Sequence, residues 1–181
     1  MTLSIASTHQ LEMRHAYYEG APGALVSGLV WLAAAAACYR LGIDKAAWTL
    51  LVGGALIHPL STIVAKLIGR PAKTGKDNAL NALAMASTIW LIVCCAMAYG
   101  LFLLKPALFF PAMMAVIGSR YLVFASVYGR AMFWGLGIAL IVAANASLWV
   151  SVSPAVVAGV GGVIEIVFAC LLFSKAAKTA A

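Results

Sequence analysis

The sequence predicts an all-α polytopic membrane protein, a bundle of six transmembrane helices. Hydrophobic residues form 65% of the 181-residue chain and charged residues only 9%, against about 45–50% and about 25% in soluble domains. Long uncharged stretches separate the charges, and they lack the alternation of apolar and polar residues that marks transmembrane β-strands. Helices then satisfy the backbone hydrogen bonds in lipid. These observations exclude a soluble enzyme, a secreted disulfide scaffold, a coiled coil and a disordered tail.

Each span is predicted from a gap between charges. A helix needs about 20 apolar residues to cross the hydrocarbon layer, and Arg40, Lys66 and Lys105 end the first three stretches of this length. The uncharged stretch 131–164 is too long for one helix, and we divide it at Trp149 and the Ser-Val-Ser-Pro run that follows. The six predicted spans are about 23–41, 46–66, 80–104, 107–128, 131–150 and 154–174.

The positions of lysine and arginine predict that both termini are cytoplasmic, because basic residues concentrate on that side of a membrane. The side with the termini carries eight of them: Arg14, Lys66, Arg70, Lys73, Lys76, Arg130, Lys175 and Lys178. The other side carries three: Arg40, Lys45 and Lys105. Topology therefore explains the net charge of +7, and we expect no nucleic-acid partner.

The chain divides into residues 1–20, a cytoplasmic or interfacial segment, residues 21–175, the six-helix domain, and residues 176–181, a cytoplasmic tail. Residues 1–20 mix apolar side chains such as Leu3 and Ile5 with charges, which is typical of a short helix at the interface. Glu12, His15 and Glu19 share one face of such a helix, but di-iron bundles need two Glu-x-x-His copies. We expect no metal and no cofactor.

Three ionisable residues are predicted to lie within the membrane: His58 in the second span, Arg120 in the fourth and Glu165 in the sixth. At a rise of about 1.5 Å per residue they lie at similar depth, about 16–20 Å from the outer edge. Ionisable groups at this depth commonly mark a pathway or a ligand site. The alternative is an Arg120–Glu165 pair that only fixes which helices are neighbours.

Further polar and small residues mark candidate contacts between helices. Asn145 and Asn81 could belong to the same ligand or proton pathway, although amides more often serve helix packing. A stripe of small residues at a spacing of four is expected to allow close packing within the chain or between two chains: Gly135, Ala139, Ala143 and Ser147. The basic loop of Lys66, Arg70, Lys73 and Lys76 is expected to lie against anionic headgroups.

Three glycine-rich stretches carry a resemblance to a known group: residues 20–31, 53–60 and 118–129, together with Asn78 and Asn81. They resemble small bacterial multi-pass membrane proteins of a domain-of-unknown-function family. In that pattern Phe often stands at position 58 and His at position 120, so the sequence departs from it there. The resemblance implies a helical bundle in the bacterial cytoplasmic (inner) membrane, and it implies no activity.

The sequence favours a small carrier or permease that uses a polar cluster of His58, Arg120 and Glu165. A non-catalytic structural or accessory subunit, acting as a homodimer or with a membrane partner, is the alternative. An intramembrane enzyme acting on a lipid or quinone is a second alternative. The chain has no Gly-x-Ser-x-Gly elbow, P-loop or His-Glu-x-x-His motif, so an enzyme is the less favoured interpretation.

Overall fold

The computed structural model describes residues 5–180, with side chains to residue 177. Within these residues seven α-helices follow one another: α1 Ile5–Tyr17, α2 Ala21–Leu41, α3 Ile43–Leu67, α4 Leu80–Leu104, α5 Phe109–Tyr128, α6 Met132–Trp149 and α7 Pro154–Ala180. Six helical segments are long and apolar enough to cross a membrane, the first of them comprising α1 and α2 together. The predicted all-α, six-span fold is confirmed. Leu3 and the Lys178 side chain lie outside the described residues.

Residues with positive φ and a proline separate the helices. Tyr18, Glu19 and Gly20 all have positive φ, and they turn the chain between α1 and α2. Gly42, at φ +89°, lets α3 begin directly after α2, and Pro106 begins a short turn before α5. The last helix extends to Ala180, beyond the expected limit of the sixth span, and the Lys and Ala residues of this stretch favour a helix.

Two helices organise the packing of the bundle. α2 packs against α3 and α7, whereas α5 packs against α6 and α4, and α7 also touches α5 and α6. α3 and α4 are the least buried spans, and they expose large apolar side chains such as Val52, Ile63, Ile92 and Met97. These outer helices therefore present their apolar surface to lipid.

The turn after the first helix meets the last helix at one end of the bundle, which we call the basic end. The rings of Tyr18 and Phe173 lie 5.6 Å apart, and Leu11 and Ala176 line one cavity there. The Arg70 guanidinium lies over the Tyr18 ring at 4.8 Å. The basic end thus holds α1, the α3–α4 connection, the α5–α6 connection and the end of α7.

Two pairs of glycines bring helices close together. A Cβ on Gly137 of α6 would lie 2.6 Å from the carbonyl oxygen of Gly118 in α5. A Cβ on Gly162 of α7 would lie 3.0 Å from the carbonyl oxygen of Gly28 in α2. Neither pair belongs to the small-residue stripe expected from the sequence. Backbone packing of this kind is a principal source of helix association in lipid.

The expected stripe on α6 faces α7. A Cβ on Gly135 would meet the Phe168 ring at 3.3 Å, while Ala143 and Ser147 line an apolar cavity of about 310 Å³ with valines of α7. The stripe therefore lies along a contact within the chain.

Candidate functional site

Glu165 lies at the centre of the bundle with its carboxyl group unsatisfied. The residue is 0% exposed, and neither carboxyl oxygen has a hydrogen-bond partner among the described residues. The hydroxyl groups of Ser27 and Tyr121 adjoin the carboxyl without completing a hydrogen bond of good geometry. Ser27 and Tyr121 are themselves only 4% and 6% exposed. The three residues form what we call the Glu165 site.

Close glycine contacts position all three side chains. Gly28 follows Ser27, and its closest neighbours are Gly162 and Ile166, which flank Glu165 on α7. On α5, Gly118 lies one turn before Tyr121 and packs against α6. The centre of the Tyr121 ring lies 6.1 Å from that of Phe133, on which it stacks. The site is therefore assembled by backbone packing from α2, α5 and α7.

The site lies inside the helices that are long and apolar enough to span a membrane, nearer the basic end than the opposite end. Ser27 is six residues after the start of α2, and Tyr121 is seven residues before the end of α5. At about 1.5 Å per residue, both lie about 10 Å from that end. The opposite end of α5 is about 18 Å from Tyr121 by the same rise.

Trp31 adds a second unsatisfied polar group nearby. It lies one turn after Ser27 on α2, is 0% exposed, and its Nε1 has no acceptor among the described residues. A Cβ on Gly161, one turn before Glu165, would lie 3.3 Å from the Trp31 ring. Each unsatisfied buried group costs free energy that a partner would recover.

Arg120 lies on a different face of α5. One of its terminal nitrogens donates a hydrogen bond to the Thr88 hydroxyl of α4 at 3.0 Å, and its guanidinium lies 5.0 Å from the centre of the Phe124 ring. No ion pair or hydrogen bond joins Arg120 to Glu165 in residues 5–177. The predicted Arg120–Glu165 pair is wrong, because Arg120 points to the α4–α5 contact and Glu165 to α2.

His58 does not join the other two residues. Its side chain is exposed on the outer surface of α3, and its carbonyl accepts a hydrogen bond from the Ser61 hydroxyl at 2.9 Å. The expected common depth was counted along each helix, and such a count leaves the direction of each side chain around its helix axis open. The structure does not bring His58, Arg120 and Glu165 together.

The two asparagines have local roles. Asn145 is exposed on α6, and its amide donates to the carbonyl of Ile141 in the preceding turn at 2.8 Å. Asn81 accepts a hydrogen bond from the Thr74 hydroxyl at 2.7 Å and donates to the Gly75 carbonyl at 2.8 Å. Asn81 therefore orders the α3–α4 connection, and neither amide adjoins the Glu165 site.

α1 is held across the basic end by polar contacts that the sequence did not reveal. Gln10 and Arg14 donate to carbonyls at the end of α5, those of Ser126, Tyr128 and Gly129. The Glu12 carboxylate accepts from the Gly75 amide and the Asn78 side chain. The bonds from Gln10 and Arg14 satisfy carbonyls that the end of a helix leaves free.

Glu19 is the second buried carboxylate, and it is fully paired. Both of its oxygens accept hydrogen bonds from Arg130, at 2.7 and 2.8 Å. The carboxylate raises the pKa of the Arg130 guanidinium by hydrogen bonding and by its charge. Glu12 and Glu19 thus bond to different parts of the chain rather than converging with His15.

A comparison with known families identifies the family of this chain. A family model described as "Family of unknown function (DUF7010)" matches residues 6–175. The chain belongs to this family. No curated protein and no solved structure matched it. As a member of this family with six apolar helices, the chain is a multi-pass membrane protein, and the family description assigns it no activity.

Proposed function

We propose that this protein is a small membrane carrier in which Glu165 takes up and releases a proton, or binds a small cation in its place, during transport. The observation that carries this proposal is the unsatisfied carboxyl of Glu165, fully buried between α2, α5 and α7. A carboxyl group in such surroundings is costly as a bare anion. A proton or a cation would lower that cost.

The surroundings of the carboxyl support a binding role over a packing role. A carboxylate kept to fix helix neighbours would be expected to have its oxygens bonded across the interface, as those of Glu19 are. Glycine pairs already bring α2 to α7 and α5 to α6. The hydroxyls of Ser27 and Tyr121 supply oxygen atoms beside the carboxyl, the ligand type that hard cations prefer.

Arg120 has a part in this proposal, whereas His58 has none. Arg120 is adjacent in sequence to Tyr121, so movement of α5 would move both side chains, and its Nε has no acceptor among the described residues. His58 lies outside the Glu165 site, and we give it no transport role. We further propose that the membrane is the bacterial inner membrane, with the basic end in the cytoplasm, because lysine and arginine concentrate there.

Water access at Ser27 tests the proposal. Replace the four cysteines of the chain, introduce Ser27→Cys, and expose intact cells and inverted vesicles to a membrane-impermeant thiol reagent. The matched control is Ser87→Cys, since Ser87 is also buried, at 6% exposure, but bonds only to the Ala84 carbonyl of its own helix. We expect labelling at position 27 and none at position 87.

Carbodiimide labelling of the carboxyl provides an independent measurement. A hydrophobic carbodiimide reacts with protonated carboxyl groups, so we expect a mass adduct on Glu165, protection by sodium or lithium if a cation binds, and no adduct in Glu165→Gln. The control variant is Asp44→Asn, which removes an exposed carboxylate. A Ser27→Cys variant that stays unlabelled from both sides, together with an unmodified Glu165 in a folded protein, contradicts the carrier.

The exposed His58 favours a second candidate, an accessory subunit that associates through α3. A titratable side chain facing lipid at this depth is costly, and a second copy of the chain would cover it. Light scattering in mild detergent tests this: we expect a dimer that His58→Leu dissociates and His15→Leu does not. A monomeric wild-type protein contradicts it. The enzyme hypothesis stays a prediction.

A further inference from the structure

A cavity of about 360 Å³ with charged side chains among its lining residues opens at the basic end, separate from the Glu165 site. Residues from α1, the turn after it, both connections and α7 line it: Leu11, Arg14, His15, Tyr18, Glu19, Arg70, Arg130 and Ala176. The volume lies in the range of small-ligand pockets, about 300–1,000 Å³. The lining is strongly basic, with three arginines against one glutamate.

Each of the three arginines is held in place by a different contact. Arg14 donates to carbonyls at the end of α5, Arg130 is fixed by both oxygens of Glu19, and Arg70 lies on the Tyr18 ring. Because one carboxylate faces three guanidinium groups, the cavity keeps an excess positive charge. Holding like charges together is unfavourable unless an anion compensates them.

Arg70 is the group with the most hydrogen-bonding capacity to spare. Its guanidinium contacts the ring of Tyr18, and no side-chain hydrogen bond from it is present in the part of the chain that the structure describes. A planar guanidinium offers five N–H donors in a fork that matches the oxygens of a phosphate group. Arg70 is thus oriented and still free to donate.

We propose that this cavity binds a phosphate group, carried by an anionic lipid headgroup or by a free phosphate. Arg70 and Arg14 would contact the phosphate oxygens, and His15, exposed at the rim, would add a third donor. Leu11 and Ala176 give the cavity an apolar wall that would suit a lipid. The headgroup contact expected along the basic loop is thereby concentrated in one site, which Lys73 and Lys76 do not line.

Thermal unfolding of the purified full-length protein in neutral detergent tests the proposal. The probes are phosphatidylglycerol, phosphatidylcholine, oleate as an anion without phosphate, and inorganic phosphate. The variant is Arg70→Gln, with Lys73→Gln as the matched control in the same loop. Arg130 is unsuitable as a test position because its removal would leave Glu19 buried and unpaired. Leu11→Glu, which adds an opposing charge without removing any arginine contact, is the second variant.

We expect phosphatidylglycerol to raise the unfolding temperature of the wild type with saturation. Loss of one charge-assisted hydrogen-bond donor should weaken its apparent affinity roughly ten-fold in Arg70→Gln, whereas Lys73→Gln should keep it. Leu11→Glu should weaken it as well. A response to inorganic phosphate that Arg70→Gln abolishes identifies free phosphate as the source, and a response to phosphatidylglycerol alone identifies the lipid.

Two results would overturn the phosphate site. One is an equal loss of affinity in Arg70→Gln and Lys73→Gln, which would show general charge attraction. The other is stabilisation by oleate with the same dependence on Arg70, which would show that any anion suffices. Either result leaves the Glu165 proposal untouched, since the two sites share no residue.

Discussion

The two buried glutamates of this protein differ in how their charge is compensated. Glu19, at the basic end, accepts hydrogen bonds from Arg130 through both oxygens. Glu165, in the interior, has neither oxygen bonded within the described residues. Both side chains are nearly inaccessible, at 6% and 0% exposure, so burial alone does not distinguish them. The partners do: Glu19 is held in an ion pair with Arg130, whereas the unbonded carboxyl of Glu165 is the group that we propose binds a proton or a cation.

Removing the charge of Glu19 should have the largest effect on stability. Glu19→Gln leaves Arg130 without its counter-ion, and breaking a buried pair costs about 3–5 kcal/mol. Because the Arg130 side chain is 31% exposed, solvent screening should reduce the loss to about 2–3 kcal/mol. The midpoint of unfolding in mixed detergent micelles measures it. Asp44→Asn, on an exposed carboxylate, is the control, and equal midpoints for both variants would contradict the comparison.

A side chain at the α5–α6 contact should have the next largest effect. Gly137→Ala places a Cβ 2.6 Å from the Gly118 carbonyl oxygen, so the helices must separate, at a cost of about 1–3 kcal/mol. The same movement displaces Tyr121 from Glu165, which lowers carbodiimide labelling there. Gly100→Ala is the control, because open space surrounds Gly100. If Gly137→Ala is as stable as Gly100→Ala, helix packing does not position the site.

Loss of a contact between α1 and the end of α5 should have a smaller and local effect. Gln10→Ala removes the hydrogen bond to the Ser126 carbonyl, worth about 0.5–1.5 kcal/mol. Hydrogen exchange should become faster in residues 5–17 while the interior helices keep their protection. Lys76→Ala, outside these contacts, should leave exchange in α1 unchanged. Faster exchange throughout the bundle in Gln10→Ala would show that α1 supports the whole fold.

Removal of the Glu165 charge should have the smallest effect on stability. Glu165→Gln conserves shape and breaks no described hydrogen bond, so we expect a change within about 1 kcal/mol, of either sign. The same variant should abolish carbodiimide labelling at this position. The unfolding midpoints of Glu165→Gln and Glu19→Gln, measured under the same conditions, show which variant loses more stability. A loss as large as that of Glu19→Gln would make Glu165 a structural residue and remove the basis of the carrier.

The sequence predicted the fold well and the site poorly, for a physical reason. The gaps between Arg40, Lys66 and Lys105 report where lipid begins and ends, because charge is excluded from hydrocarbon. The three ionisable residues were placed at one depth by counting helical rise, which says nothing of their direction around the helix axis. Arg120 consequently faces α4 and His58 faces outward. No sequence pattern marked Ser27 and Tyr121 as site residues, since a single hydroxyl in an apolar span is common.

By itself the sequence determined the number of spans, their approximate limits and the concentration of basic charge at one end. These follow from local composition, since each helix satisfies its own backbone in lipid. Only the tertiary structure decided which helices are neighbours, and hence which buried charge finds a partner. That choice depends on where backbones can approach closely, at Gly28–Gly162 and Gly118–Gly137. Van der Waals packing at these contacts sets the rotation of each helix, and it leaves Glu165 beside two hydroxyls rather than beside Arg120.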